Sequence, residues 1–190
     1  MMKYVIATVA CVFVFSACTE NEQVDARSCE VMSQTEKHLI MTKSIDSLET
    51  IVYKDTFGTN KEAANQLLQQ YSKFAETFPG DKEKSPEFLY KAGALSRGAG
   101  LPLKAIRCYD QFLKKYPAND KSSEVSFLIA FTYDADMNEI NLAKEAYQDV
   151  VMQYPGDHWA LQATQRLKTI DMSDEELVQF FMKKDQESAL

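Results

Sequence analysis

One period runs through most of the sequence. A shift of 38 residues superposes Tyr71, Tyr109 and Tyr147, then Phe78, Tyr116 and Tyr154, then Pro79, Pro117 and Pro155. In the same register Ala92 falls on Ala130 and Ala105 on Ala143, while Phe74, Phe112 and Val150 fill a further column. A constant period of this length marks a chain made of repeated supersecondary units. Each unit is too small to bury its apolar face alone, so stacking on a neighbour is a condition of stability.

Each unit reads as two helices. In residues 85–117, Ser85-Pro86-Glu87 is a helix start, with Ser85 as cap and Pro86 in the first turn, where its missing N–H is no loss. Phe88, Leu89, Ala92 and Leu95 then recur at helical spacing, and Arg97-Gly98-Ala99-Gly100 breaks the pattern. Pro102 begins a second helix along which Ala105, Ile106, Tyr109, Phe112, Leu113 and Tyr116 form one stripe, until Pro117 prevents continuation. Gly93, Ala105, Ala130 and Ala143 are small where antiparallel helices must approach closely. Thr59 to Glu62 is a capping box for a helix carrying Ala63, Ala64, Leu67, Leu68, Tyr71 and Phe74, whose partner holds Ile45, Leu48, Ile51 and Val52. Downstream, Trp159, Ala160, Ala163 and Leu167 mark another helix. Ser173 to Glu176 is a second capping box, before Leu177, Phe180 and Phe181. With only 6 Gly and 5 Pro in 190 residues, almost no strand is expected.

Ala92-Gly93, Ala105, Tyr109 and Pro117, with Ala143, Tyr147 and Pro155 one period later, resemble the tetratricopeptide repeat pattern. There a small pair sits in the first helix, Ala and an aromatic in the second, and Pro closes the unit. The resemblance implies an all-α, right-handed solenoid of about four antiparallel helix pairs, the outer two degenerate. The usual period is about 34 residues. The longer period here places the extra residues in the turns PGDKEKSP and PANDKSSE. The match is close for 85–117 and looser for 123–155, where Phe131 stands in the place of Gly93.

Residues 1–17 read as a signal peptide: Lys3, then an apolar or small-residue run from Tyr4 to Ala17, shorter than the roughly 20 residues a bilayer core takes. Phe15-Ser16-Ala17-Cys18 resembles the lipobox of bacterial lipoproteins. That resemblance implies cleavage before Cys18 and acylation of its thiol by chains such as palmitate, a firm membrane anchor when several are present. An ordinary secretory signal or a short signal-anchor is the alternative reading. Residues 18–37 are then a polar tether and 38–190 the helical domain. Thr19 after the Cys favours the outer membrane by analogy, on its periplasmic face. Glu20 and Glu22 resemble a surface-export signal and equally an ordinary solvated linker. The seven-residue spacing of Val31, His38, Ile45 and Val52 fits a short coiled coil or a solenoid helix. Cys29 and Cys108 are either a disulfide or, as the simpler reading, an exposed and a buried thiol.

Nothing in the chain points to catalysis. The two histidines, His38 and His158, are far apart and there is no phosphate loop, nucleophile elbow or metal-ligand spacing. No enzyme activity, cofactor or metal is expected, and a net charge of −7 argues against nucleic acid as partner. The first-helix residues that point away from the stripe, Tyr90, Ala94 and Arg97, then Leu128, Thr132 and Asp136, are candidates for a partner-binding groove, with additional core as the competing reading for Tyr90 and Leu128. The repeat cadence and the lipobox together resemble the envelope tetratricopeptide lipoproteins of outer-membrane β-barrel assembly and of the Tol-Pal-associated periplasmic coordinator. The implied function is a membrane-anchored scaffold for an envelope protein or peptide. The alternatives are a surface lipoprotein that captures ligand for a nutrient transporter, and an oligomerising structural component of the envelope.

Overall fold

The computed structural model describes residues 19–54 and 60–188. The expected signal peptide, Cys18 and the Thr59 of the first capping box lie outside the described residues. The chain divides into two compact units, residues 1–43 and 44–190.

The described part of the first unit belongs entirely to α1 (Thr19–Lys54). The tether expected at 18–37 is therefore helical from Thr19 on, because no Gly or Pro occurs between Thr19 and Lys54 to stop the winding. Within this unit the Thr42 hydroxyl donates to the His38 carbonyl one turn back, at 2.9 Å.

The second unit begins with the last turns of α1 and continues with α2 (Lys61–Thr77), α3 (Lys84–Gly98), α4 (Pro102–Lys115), α5 (Ser122–Phe131), a π-helical turn (Thr132–Asp136), α6 (Ile140–Gln153), α7 (His158–Thr169) and α8 (Asp174–Ser188). Among the described residues there is no strand. From α2 to α7 each helix packs on its neighbour in the chain, giving the helical solenoid expected from the repeat.

The repeated columns are the core. Tyr71, Tyr109 and Tyr147 are fully buried, as are Phe74, Phe112, Ala92, Ala105, Ala130 and Ala143. The Tyr109 ring lies in the space that a β-carbon on Gly93 would fill, so glycine at that position is what lets α3 and α4 close on each other. Phe88 closes the preceding interface edge-on against Phe74, with ring centroids 4.8 Å apart.

The turns repeat as faithfully as the core. Phe78, Tyr116 and Tyr154 each end a second helix, their N–H groups donating to Phe74, Phe112 and Val150 at 2.8, 2.8 and 3.0 Å before Pro79, Pro117 and Pro155 turn the chain. Three residues after each aromatic, Asp81, Asn119 and Asp157 offer a side-chain oxygen to the next helix start, accepting from Lys84, Lys121 and Trp159 at 2.8, 3.0 and 2.8 Å. This column corrects the expected cap at Ser85. α3 begins at Lys84, two residues earlier than a cap at Ser85 would start it, with its first N–H groups served by Asp81, which leaves the Ser85 hydroxyl to donate to the Phe78 carbonyl at 2.7 Å. Asn60 caps α2 by accepting from Ala63 at 3.0 Å, and Ser173 with Glu176 forms the reciprocal capping box read from the sequence, at 2.8 and 3.3 Å. Between paired helices, Gly100 has φ of 70° and Asn138, one period on, has φ of 56°. Asparagine here takes the left-handed conformation that glycine takes in the preceding unit.

Candidate functional site

α5, α7 and α8 enclose a cleft of about 420 Å³. Its floor is aromatic. Phe127 and Phe131, one turn apart on α5, stack with centroids 6.3 Å apart, and Phe127 also meets Tyr147 at 5.4 Å and Trp159 at 5.1 Å. Arg166 of α7 forms one wall, and Leu177, Phe180 and Phe181 of α8 form the other.

Arg166 is held by Asp134. Its guanidinium donates through Nε to Oδ2 at 2.5 Å and through Nη2 to Oδ1 at 2.9 Å, and the Tyr147 hydroxyl donates to the same Oδ2 at 3.1 Å. Asp134 is only 5% exposed, so the bidentate pair and the phenol satisfy a carboxylate that would otherwise be stranded. The hydrogen bond from Arg166 to Asp134 raises the guanidinium pKa further, and burial followed by the Asp134 charge raises that of the Tyr147 phenol. Asp134 lies within the π turn. The Thr132 hydroxyl donates to the Leu128 carbonyl at 2.7 Å, and the Met137 N–H reaches back five residues to Thr132 at 3.1 Å. A hydroxyl on the i−4 carbonyl competes with the α-helical ladder and favours such a deviation.

The six groove candidates from the sequence lie elsewhere, and none lines this cleft; Ala94 is exposed. Arg97 and Asp136 come together as a bidentate pair, at 2.5 and 3.1 Å, with the Arg97 guanidinium 4.7 Å from the centre of the Phe131 ring. Tyr90 donates to Glu124 at 2.7 Å and lies under the Lys121 ammonium; burial, then Glu124, pushes its pKa up to about 12. Leu128 packs on the cluster around Tyr109 and Phe112, and Thr132 is fully buried. Tyr90, Arg97 and Asp136 therefore join one repeat to the next. Of the repeat residues, Ala105, Tyr109, Ala143 and Tyr147 are core while Pro117 and Pro155 lie in exposed turns. Tyr147 alone of these reaches the cleft.

Phe127 and Arg166 were not singled out by sequence, and Phe180 was read only as an apolar residue of the last helix. The available signal was a broken column: Arg166 falls one period after Leu128, a charge where the preceding repeat has an apolar residue. Cys108 is a buried free thiol whose pKa is raised by burial, and the side chain of Cys29 lies outside the described residues. Among the described residues no three His, Cys, Asp or Glu side chains gather as a metal site, and no helix is long and apolar enough to cross a membrane. An aromatic floor edged by an arginine suits recognition of apolar side chains; Tyr, Trp and Arg are the residues that carry most binding energy at protein interfaces.

No curated protein matches this sequence. Residues 87–119 and 124–157 match the family model Tetratricopeptide repeat, one match for each of the two regular helix pairs, and this supports a tetratricopeptide repeat protein.

Proposed function

We propose that the chain is a membrane-anchored scaffold of the bacterial cell envelope, holding a protein partner on the face formed by the first helices of its repeats. Tetratricopeptide repeats indicate a protein–protein interaction scaffold. The observation that carries the finer reading is the aromatic cleft between α5 and α7, two such first helices, with Phe127 at its floor. The lipobox-like segment before Cys18 supports an anchor on the outer membrane, and with it a role in outer-membrane protein assembly.

Crosslinking in living cells followed by capture of the full chain tests this. A scaffold recovers one or a few envelope proteins from wild type and loses them with Phe127→Glu. Recovery of no envelope protein, or recovery indifferent to Phe127→Glu, sinks the reading. Labelled palmitate incorporated by wild type and not by Cys18→Ala tests the anchor. Glu20 and Glu22 favour a second reading, surface exposure and ligand capture beside a transporter. Loss of the protein when intact cells are treated with protease would support that reading over the periplasmic one.

A further inference from the structure

Two members of the tyrosine column donate to a carboxylate that a cation of another helix balances. Tyr147 donates to Asp134, which Arg166 holds, at 3.1 Å, and Tyr71 donates to Glu49, which Lys91 holds, at 2.7 Å. Tyr109, between them in the column, has no carboxylate to donate to. One period before Asp134 stands Ser96, and one period before Arg166 stands Leu128. Carboxylate and counter-cation are thus missing together, as the cost of burying a lone charge requires. The need for a partner remains. The Ser96 and Tyr109 side chains are fully buried, and neither hydroxyl has a hydrogen-bond partner among the described residues. Buried hydroxyls in folded proteins are nearly always satisfied, by protein or by ordered water.

The two hydroxyls face one place. Gly93 and Ser96 are three residues apart on α3 and so neighbours on one face of it, and the Tyr109 ring lies over Gly93, its hydroxyl-bearing Cζ 2.5 Å from where a β-carbon on Gly93 would stand. Side chains three apart on a helix start about 5–6 Å from each other. That is also the span of one water making two hydrogen bonds of about 2.8 Å each. Ser is shorter than Asp, and it stops short of the phenol that the Asp134 carboxylate reaches in the next unit.

We propose that one water is a fixed part of the 85–117 unit, accepting from the Tyr109 hydroxyl and donating to Ser96 Oγ, and that it does there what the Asp134 carboxylate does in the next unit. The Arg97 guanidinium is a third polar group at hand: burial raises the pKa of the Tyr109 phenol and Arg97 draws it back down. The site suits a small neutral donor and acceptor and no anion, since Leu128 offers no charge and Arg97 is already paired with Asp136. The inference is independent of what the chain binds.

Urea denaturation of the chain gives the sign. With a bridging water, Tyr109→Phe should raise the unfolding equilibrium constant about 2- to 10-fold, and Ser96→Ala should do the same, which keeps the test alive if Tyr109→Phe folds poorly. Both substitutions together should cost little more than either alone, because the first already breaks the bridge. If the hydroxyls are bare, removing either one stabilises the chain, and that sign overturns the water. A direct bond between the two hydroxyls would imitate the coupling, so position is read separately. A high-resolution crystal structure should show one peak within hydrogen-bond distance of Tyr109 Oη and Ser96 Oγ, lost in Tyr109→Phe. No such peak, or the two oxygens in direct contact, overturns the proposal. In Ser96→Asp the new carboxylate should displace the water and accept from Tyr109; a water retained there overturns the equivalence with Asp134.

Discussion

The two regular repeats carry the same columns and differ in how they treat the tyrosine at their centre. In residues 85–117 the Tyr109 ring rests on Gly93, and the Tyr109 hydroxyl and the Ser96 hydroxyl are buried with no hydrogen-bond partner among the described residues. In residues 123–155, Phe131 replaces Gly93 and Asp134 replaces Ser96. The helix opens into a π turn, and Tyr147 gains an acceptor that is itself anchored to Arg166 of the next helix pair. At its central tyrosine the first repeat relies on close packing against Gly93. The second adds a buried polar network, fixed at the edge of the aromatic cleft. A repeat can thus keep its core spacing while its first helix is reshaped to build a site, and the polar network is where the second repeat departs from the first.

The largest expected effect breaks the first repeat at its point of closest approach. Gly93→Ala forces a methyl group into the Tyr109 ring and should lower stability by about 3 kcal/mol, measured by urea denaturation. At Phe131, which is only partly buried, the large-to-small change Phe131→Leu should alter stability far less. Next is the network of the second repeat. Asp134→Ala strands the Tyr147 hydroxyl and leaves Arg166 unpaired, a loss of roughly 2 kcal/mol once the partial exposure of Arg166 is discounted. If Asp134→Ala costs less than Arg97→Ala, the network is not what distinguishes the repeats.

The comparison can also be sharpened by transplanting the network. Ser96→Asp supplies Tyr109 with an acceptor but buries a carboxylate where Leu128 stands in the column of Arg166. It should destabilise by about 1–2 kcal/mol, and Leu128→Arg in the same chain should recover part of that loss, a coupling of about 1 kcal/mol in a double-mutant cycle. Arg97→Ala removes the exposed pair that links the repeats and should cost only about 0.5–1 kcal/mol.

Alkali produces no effect at neutral pH and a graded one above it. Burial raises the phenol pKa of Tyr71, Tyr109 and Tyr147 in the folded chain above the ordinary value near 10. The folded state therefore keeps protons that the unfolded state releases. This contribution is fully present below pH 10 and is lost as pH rises through the folded pKa values. Tyrosinate absorbance at 295 nm from these residues should appear only together with loss of helical circular dichroism. Ionisation preceding unfolding would show the column to be more accessible than its burial indicates.

Much of this architecture is legible in the sequence, because side chains that must meet the same neighbour in every unit recur at one spacing. The tyrosine and alanine columns and the aromatic–proline ends could be read that way, and the Ser173–Glu176 box from its own local motif. The sequence also contained the Asp81, Asn119 and Asp157 column and the Gly100/Asn138 pair, but their roles emerge only from the backbone: which side chain caps a helix depends on where the preceding turn delivers it. Ser85 has a cap's chemistry and lost the position to Asp81, which the turn places within reach of the Lys84 N–H.

The site was not legible in the same way. Asp134 and Arg166 meet across 32 residues, Arg97 and Asp136 across 39, and these separations follow from helix packing rather than from any local pattern. Only the π turn carries Asp134 inward. The sequence by itself determined the period, the paired helices and the identity of the buried columns, since local propensity and stacking demand the same residues in each unit. Tertiary structure decided which polar groups face each other and that an aromatic cleft opens where it does. Those depend on distances between elements that no spacing along the chain encodes.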